Sequence, residues 1–163
     1  MEIRSIKTSD TKQFVEFYKK LAKETEFLMF SPDEVSQKES QEEHFIKSYD
    51  DFKHVFLAVD KNKIVGYLGI ARSHLKKLKH SAKFTVGVLD DHKRQGIATQ
   101  LIEYAENWAK EQGIKRLELT VITGNKPAVA FFKKNDFDQE GTRKKSVNLD
   151  DEYFDEYFMA KAL

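Results

Sequence analysis

Seven consecutive residues, Lys93-Arg94-Gln95-Gly96-Ile97-Ala98-Thr99, form the pattern in this chain with the clearest chemical use. They lie between an alternating apolar run and a long amphipathic stretch, so they carry the backbone from a strand into the first turn of a helix. The start of any helix leaves four amide N–H groups without intrahelical partners, and the summed peptide dipoles put partial positive charge there. Gly96 has no Cβ to hold a ligand away, Ala98 is nearly as small, and Lys93 and Arg94 add formal charge. The combination suits an anion, most naturally a pyrophosphate. An ordinary strand-to-helix turn with two solvated basic residues fits the same letters, because a lone glycine motif has low specificity.

The elements that position this turn are legible on both sides. In Phe84-Thr85-Val86-Gly87-Val88 the side chains alternate, with Phe84, Val86 and Val88 on one face. After Gly96, the residues Ile97, Leu101, Ile102, Ala105, Trp108 and Ala109 recur at helical spacing, and Gly113 follows where a left-handed stop is expected. Upstream, Glu2–Ile6 reads as a strand, Thr8, Ser9 and Asp10 as N-capping residues, and Phe14, Phe17, Tyr18 and Leu21 as the buried face of a first helix. An aromatic segment from Glu24 to Phe30 ends at Ser31-Pro32, and a second helix is expected over Ser40–Tyr49. A hairpin follows: Val55–Val59, a turn at Asp60–Lys63, then Ile64–Ile70. Past the central helix come a strand at Arg116–Ile122, a short helix started by Asn125 and Pro127, and two closing strands, Thr142–Val147 and Glu152–Lys161. Mixed in this order, the elements predict one α/β (α+β) domain over residues 1–163 with a strand-rich centre.

Composition narrows the chemistry. The chain has 28 basic and 27 acidic residues, a net charge of +1, which argues against a general nucleic-acid-binding protein. The charge is unevenly spread: no Asp or Glu lies between Lys61 and Leu89, whereas Asp150 to Glu156 is acidic. With no cysteine there is no disulfide, thiolate metal site or Cys nucleophile, and no histidine pair has metal-ligand spacing, so no metal is expected. No apolar run reaches the length of a membrane span and the N-terminal residues lack a signal peptide's apolar segment, so a reducing cytoplasm and no membrane partner are expected.

Taken together, these residues resemble the GCN5-related N-acetyltransferase (GNAT) superfamily, whose acetyl-CoA motif is Gln/Arg-x-x-Gly-x-Gly/Ala at the start of the central helix. It is similar here to Lys93-Arg94-Gln95-Gly96-Ile97-Ala98. The likeness extends to the hairpin, to the strand ending at Val88, to the Asn-x-x-Ala-x-x-aromatic-aromatic pattern Asn125–Phe132, and to Tyr153–Met159 as a last strand. It implies a mixed, mostly antiparallel twisted sheet whose middle strands splay apart, flanked by helices. Acetyl-CoA would be the cosubstrate, with its pantetheine arm paired to Val86, Gly87 and Val88. Its pyrophosphate would lie on the amides from Arg94 through Gln95, Gly96, Ile97, Ala98 and Thr99, and Lys93, Asn125 and Phe132 would complete the cofactor contacts.

Departures from the family pattern bear on mechanism. Lys93 replaces Gln or Arg, which keeps the charge and loses bidentate donation. Lys83 stands where many members carry a catalytic Glu, Phe132 where a Tyr often protonates the leaving thiolate, and Asp136 where a Gly is usual. The implied reaction is direct attack of an amine on the thioester. A lysine-like amine with pKa about 10.4 loses roughly 4–5 kcal/mol at pH 7 by being protonated, whereas an α-amine near 8 loses only about 1–2 kcal/mol. The missing Glu therefore favours a low-pKa amine or a base from elsewhere. Glu118, Glu26 and Tyr67 are the candidates in the implied cleft, and Phe27, Met29, Phe30 and Tyr67 could line an apolar acceptor pocket beside the acidic turn Asp150-Asp151-Glu152. The acceptor would be a small-molecule or peptide amine. A homodimer through last-strand exchange or edge pairing is compatible with the pattern, and an acyl-CoA-binding or sensory module with little catalysis is the alternative reading.

Overall fold

The protein is described here from a computed structural model covering residues 1–29, 34, 43–44 and 46–163. The elements run β1 (Glu2–Ser5), α1 (Thr11–Glu24), β2 (Lys53–Asp60), β3 (Lys63–Arg72), β4 (Ser81–Val88), α2 (Ile97–Glu111), β5 (Arg116–Ile122), α3 (Lys126–Lys134), β6 (Asp138–Leu149) and β7 (Glu152–Ala162). The strands form a seven-stranded sheet in the order β1-β2-β3-β4-β5-β7-β6. All neighbours are antiparallel except β4 and β5, whose parallel pairing follows from the crossover through α2.

Each sheet face buries its own apolar cluster. One holds Phe56, Leu68, Phe84, Val88, Leu117, Leu119 and Met159 against Ile97, Leu101, Ile102 and Ala105 of α2 and Val129 and Phe132 of α3. The other packs Val55, Leu57, Ile64 and Tyr67 against Phe14, Phe17 and Leu21 of α1. The helical spacing read from the sequence is thus the burial pattern of α1 and α2, with Trp108 half-buried and its ring stacked on His54 at 5.7 Å. Gly113 adopts φ +71° and ends α2, its amide donating to the Lys110 carbonyl at 3.1 Å.

Two expectations change. Asp10 does not cap α1 with its side chain: its carboxylate accepts from the Lys7 amide at 2.8 Å and from both terminal nitrogens of Arg4 at 2.7 and 2.8 Å, binding β1 to the turn before the helix. The closing strands are longer than read, because the polar stretch Asp138–Gly141 pairs with β7 without apolar alternation to announce it. Of the helix expected over Ser40–Tyr49, residues 40–42 and 45 lie outside the described residues; 43–44 and 46–47 are helical and Ile46 is buried. The β2–β3 turn at Lys61-Asn62 has φ of +46° and +65°, the left-handed pair that a two-residue hairpin requires.

Candidate active site

The parallel pair at the middle of the sheet is short. β4 and β5 are in register only at Ser81–Arg116, Ala82–Leu117 and Lys83–Glu118. Beyond that row Phe84–Val88 continues to pair with β3, and Leu119–Ile122 continues to pair with β7, so the two strands diverge as arms of a fork. At about 3.3 Å per residue the open part is roughly 15 Å long, and its facing edges offer backbone groups to an extended, amide-bearing ligand.

The turn that leads out of β4 sits at the mouth of this fork. Arg94 has φ +59° and Gly96 φ +79°, and left-handed residues interleaved with right-handed ones turn successive amides toward a common centre. Among the described residues the amides of 94–99 find no hydrogen-bond acceptor; the first that does is Gln100, which donates to the Gly96 carbonyl at 3.0 Å. A Cβ on Gly96 would meet only Gln100 Nε2, at 3.9 Å, so the backbone angle rather than crowding demands glycine here. Lys93 is ion-paired with Asp90, while the exposed Arg94 guanidinium has no partner among the described residues. The Asp90 amide donates to Glu24 Oε2 at 2.8 Å, which fixes the turn to the end of α1.

Gly87 sits in an unbroken register with β3, opposite Tyr67, so there is no bulge at this position. A Cβ there would lie 2.6 Å from Leu21 Cδ2 and 3.0 Å from Tyr67 Cε1, so the glycine lets α1 pack on the sheet.

The three residues singled out for acid–base work are spread over distinct environments. Glu118 occupies the last closed row of the fork, where its carboxylate accepts from the Ser81 hydroxyl and lies 3.7 Å from Arg116 Nε. Glu26 is exposed in the turn after α1, not on a helix. Tyr67 is 4% exposed and belongs to the core: its ring packs against Phe14, Phe17 and Tyr18, and its hydroxyl lies 3.4 Å from both Thr85 Oγ1 and Tyr18 Oη. Burial raises its pKa above the usual 10.0, which keeps the phenol protonated and removes it as a base. The folded state therefore holds this proton more tightly than the unfolded chain, so stability from this group is full below pH 10 and declines above it. Spectroscopic titration is expected to find one tyrosine ionising only after the others, with unfolding favoured once it does; its ionisation together with the exposed tyrosines would contradict the burial argument.

Among the described residues the apolar pocket expected for the acceptor is incomplete, with Phe27 half-buried in the turn after α1. Tyr67 is core, Met29 is 53% exposed, and Phe30 lies outside the described residues. Asn125 caps α3, its side chain accepting from the Ala128 amide at 3.4 Å. Phe132 is buried in an aromatic cluster with Phe84, Phe131 and Phe137, at ring separations of 6.1, 5.3 and 5.9 Å. Phe132→Tyr is accordingly expected to cost about 1–3 kcal/mol in urea unfolding, because its hydroxyl enters an apolar cluster. An unchanged midpoint would mean that the ring's far edge reaches solvent. Asp136 takes φ +66° at the end of α3, so a non-glycine residue accepts the left-handed position where glycine is usual.

A sheet forked between two parallel strands, with unpartnered helix-start amides at its mouth, is the arrangement suited to an extended, phosphate-bearing ligand. The Acetyltransferase (GNAT) family model matches residues 15–137, and the chain belongs to that family. It is 36% identical over 102 residues to the L-amino acid N-acetyltransferase AaaT of Escherichia coli (strain K12), a match spanning 60% of this chain and 61% of that protein. The acetyltransferase of GNAT family from Streptococcus pneumoniae has a similar structure, with a TM-score of 0.93 at 27% identity over 99% of this chain and 98% of that one. The GNAT superfamily phosphinothricin acetyltransferase from Sinorhizobium meliloti, solved in complex with acetyl-CoA, shares the fold, with a TM-score of 0.85 at 14% identity over 99% and 88% of the two chains.

Proposed function

We propose that this chain, as one domain, transfers the acetyl group of acetyl-CoA to a primary amine of a small molecule or peptide, and that the amine is an α-amine. The observation that carries the reading is the fork between β4 and β5 opening beside the unpartnered amides of 94–99. The fork suits the pantetheine arm, and the amides with Arg94 suit the pyrophosphate. Val86, Gly87 and Val88 supply strand edge to the arm, while Asn125 holds the start of α3 across from it. The α-amine follows from the exposed lysine at position 83 and the core phenylalanine at position 132: no strong base or acid stands at those two places, so an acceptor with a sizeable neutral fraction is favoured. The name of the Escherichia coli relative, which places an L-amino acid in the acceptor role, supports the same class.

Release of CoA thiol on mixing the protein with acetyl-CoA and each of the standard L-amino acids or alanyl-alanine tests this directly. Turnover on α-amines, with Nε-acetyllysine methyl ester accepted and Nα-acetyllysine refused, is the expected result. Tight acetyl-CoA binding with no turnover on any amine would favour the acyl-CoA-binding or sensory module, to which Lys83 and Phe132 also point.

A further inference from the structure

Glu156 is the one charged side chain that is buried among the described residues, at 3% exposed. Alternation along β7 fixes the face it occupies. Tyr157 and Met159 join the cluster under α2 and α3, and Lys161 pairs with Glu106 of α2 at 2.7 Å. Glu156 and Phe158 therefore point to the opposite face, the one that carries Tyr67 and is covered by α1. In register it stands beside Ile122 of β5, four residues past the last closed row at Glu118. On the other arm the residue four past Lys83 is Gly87. Glu156 thus flanks the open fork at the level of Gly87, one strand removed from the gap.

Its electrostatic support is thin for so buried a carboxylate. The sole ionic partner among the described residues is Arg143 of β6, whose Nη1 reaches Oε2 at 3.3 Å and whose side chain is 56% exposed; Oε1 has no hydrogen-bond partner there and is not fully enclosed. Setting a carboxylate so nearly out of water for one long contact with a solvated arginine is unfavourable compared with an apolar residue of similar size. The flanking Phe154 and Phe158 on the same face are apolar. A cation other than the guanidinium is the chemical complement this position calls for.

We infer that Glu156 is the acceptor-side carboxylate: it binds the primary ammonium of the substrate in the place that Arg143 fills in the free protein, and it takes the proton that frees the amine. This rests on the acetyl-transfer reading above. One proton passes from the ammonium to Glu156, and the nitrogen lone pair forms the C–N bond to the thioester carbon. The C–S bond then breaks with its electron pair going to sulfur, and the surplus proton on the new amide nitrogen goes to that thiolate. Glu156 returns its proton to water, so ammonium and acetyl-CoA give amide, CoA thiol and one proton. Arg143, held at one contact and largely in solvent, can swing aside as the ammonium arrives.

The experiment compares wild type, Glu156→Gln and Arg143→Met by steady-state kinetics on the best α-amine of the panel, alongside acetyl-CoA calorimetry. Glu156→Gln is expected to lower kcat/KM for the amine by about 10²–10⁴-fold while the acetyl-CoA Kd stays within about twofold. Arg143→Met is expected to lower the amine KM by roughly three- to tenfold, since it removes the internal competitor. A purely structural ion pair predicts something else: both variants would lose stability alike, and neither would separate amine KM from acetyl-CoA affinity. A folded Glu156→Gln enzyme with kcat/KM within about threefold of wild type would overturn the inference and leave acetyl transfer standing. If Glu156→Gln fails to fold, an unchanged or raised amine KM in Arg143→Met overturns it instead. A wild type that binds acetyl-CoA and acetylates no amine would overturn the function itself, and this assignment with it.

Discussion

Gly96→Glu is expected to abolish acetyl-CoA binding while leaving the domain folded. Two effects of very different size are involved. Any residue other than glycine at φ +79° costs about 1 kcal/mol, which a domain of this length tolerates. The space beyond the Cα is open apart from Gln100 Nε2 at 3.9 Å, so the new side chain meets no core. It does, however, bring a carboxylate to the centre on which the amides of 94–99 converge. There it either occupies the anion's place as an internal ligand or repels the pyrophosphate, and both outcomes remove the interaction that the turn supplies. Gly96→Ala carries the same backbone penalty without the charge and should weaken binding far less. Calorimetry with acetyl-CoA, beside thermal unfolding of both variants, separates the effects; retained affinity in the Glu variant would refute the site.

Gly87→Val should be the most destabilising single change near the fork, by about 3 kcal/mol. The contact that a Cβ would make with Leu21 Cδ2, at 2.6 Å, is with the end of a side chain, which ordinarily could move. Leu21 is 2% exposed, however, and the Tyr67 ring closes the other side at 3.0 Å, so relief requires α1 to lift from the sheet. A cycle with Leu21→Ala tests the cause. The double variant is expected to recover a large part of the loss, whereas additive effects would show that the strain lies elsewhere.

Comparison of these two glycines shows what a sequence can and cannot disclose. Gly96 was legible because its reason is local: a left-handed residue at the start of a helix with Lys93 and Arg94 beside it. Gly87 has a packing reason that the local sequence does not show, since Leu21, which excludes its side chain, lies in a helix far away in the chain. The helix after Gly96 was readable in full from its period and from Gly113. The polar start of β6 was not, because its pairing is dictated by β7 and not by its own pattern. Glu156 lies inside an acidic tail, where charged residues are ordinarily solvated. A signal was nonetheless present: alternation sets Glu156 among Phe154, Phe158 and Ala160, an apolar company unusual for a carboxylate. In the sequence Glu118 and Tyr67 stand out only by residue type and strand position. Neither their engagement with Arg116, Ser81 and Thr85 nor their depth could be read in one dimension.

The short junction between β4 and β5 divides the sheet into two pieces, each continuous in sequence: residues 2–88 build β1 to β4, and residues 116–162 build β5, β7 and β6. Within each piece every strand is tied to its neighbour along most of its length, but between them the backbone supplies only three rows. A donor threaded along both arms would add the hydrogen bonds that the polypeptide omits at its own centre. Bound as proposed, the cosubstrate would act as an eighth strand, tying the half-sheet that carries Gly87 to the one that carries Glu156.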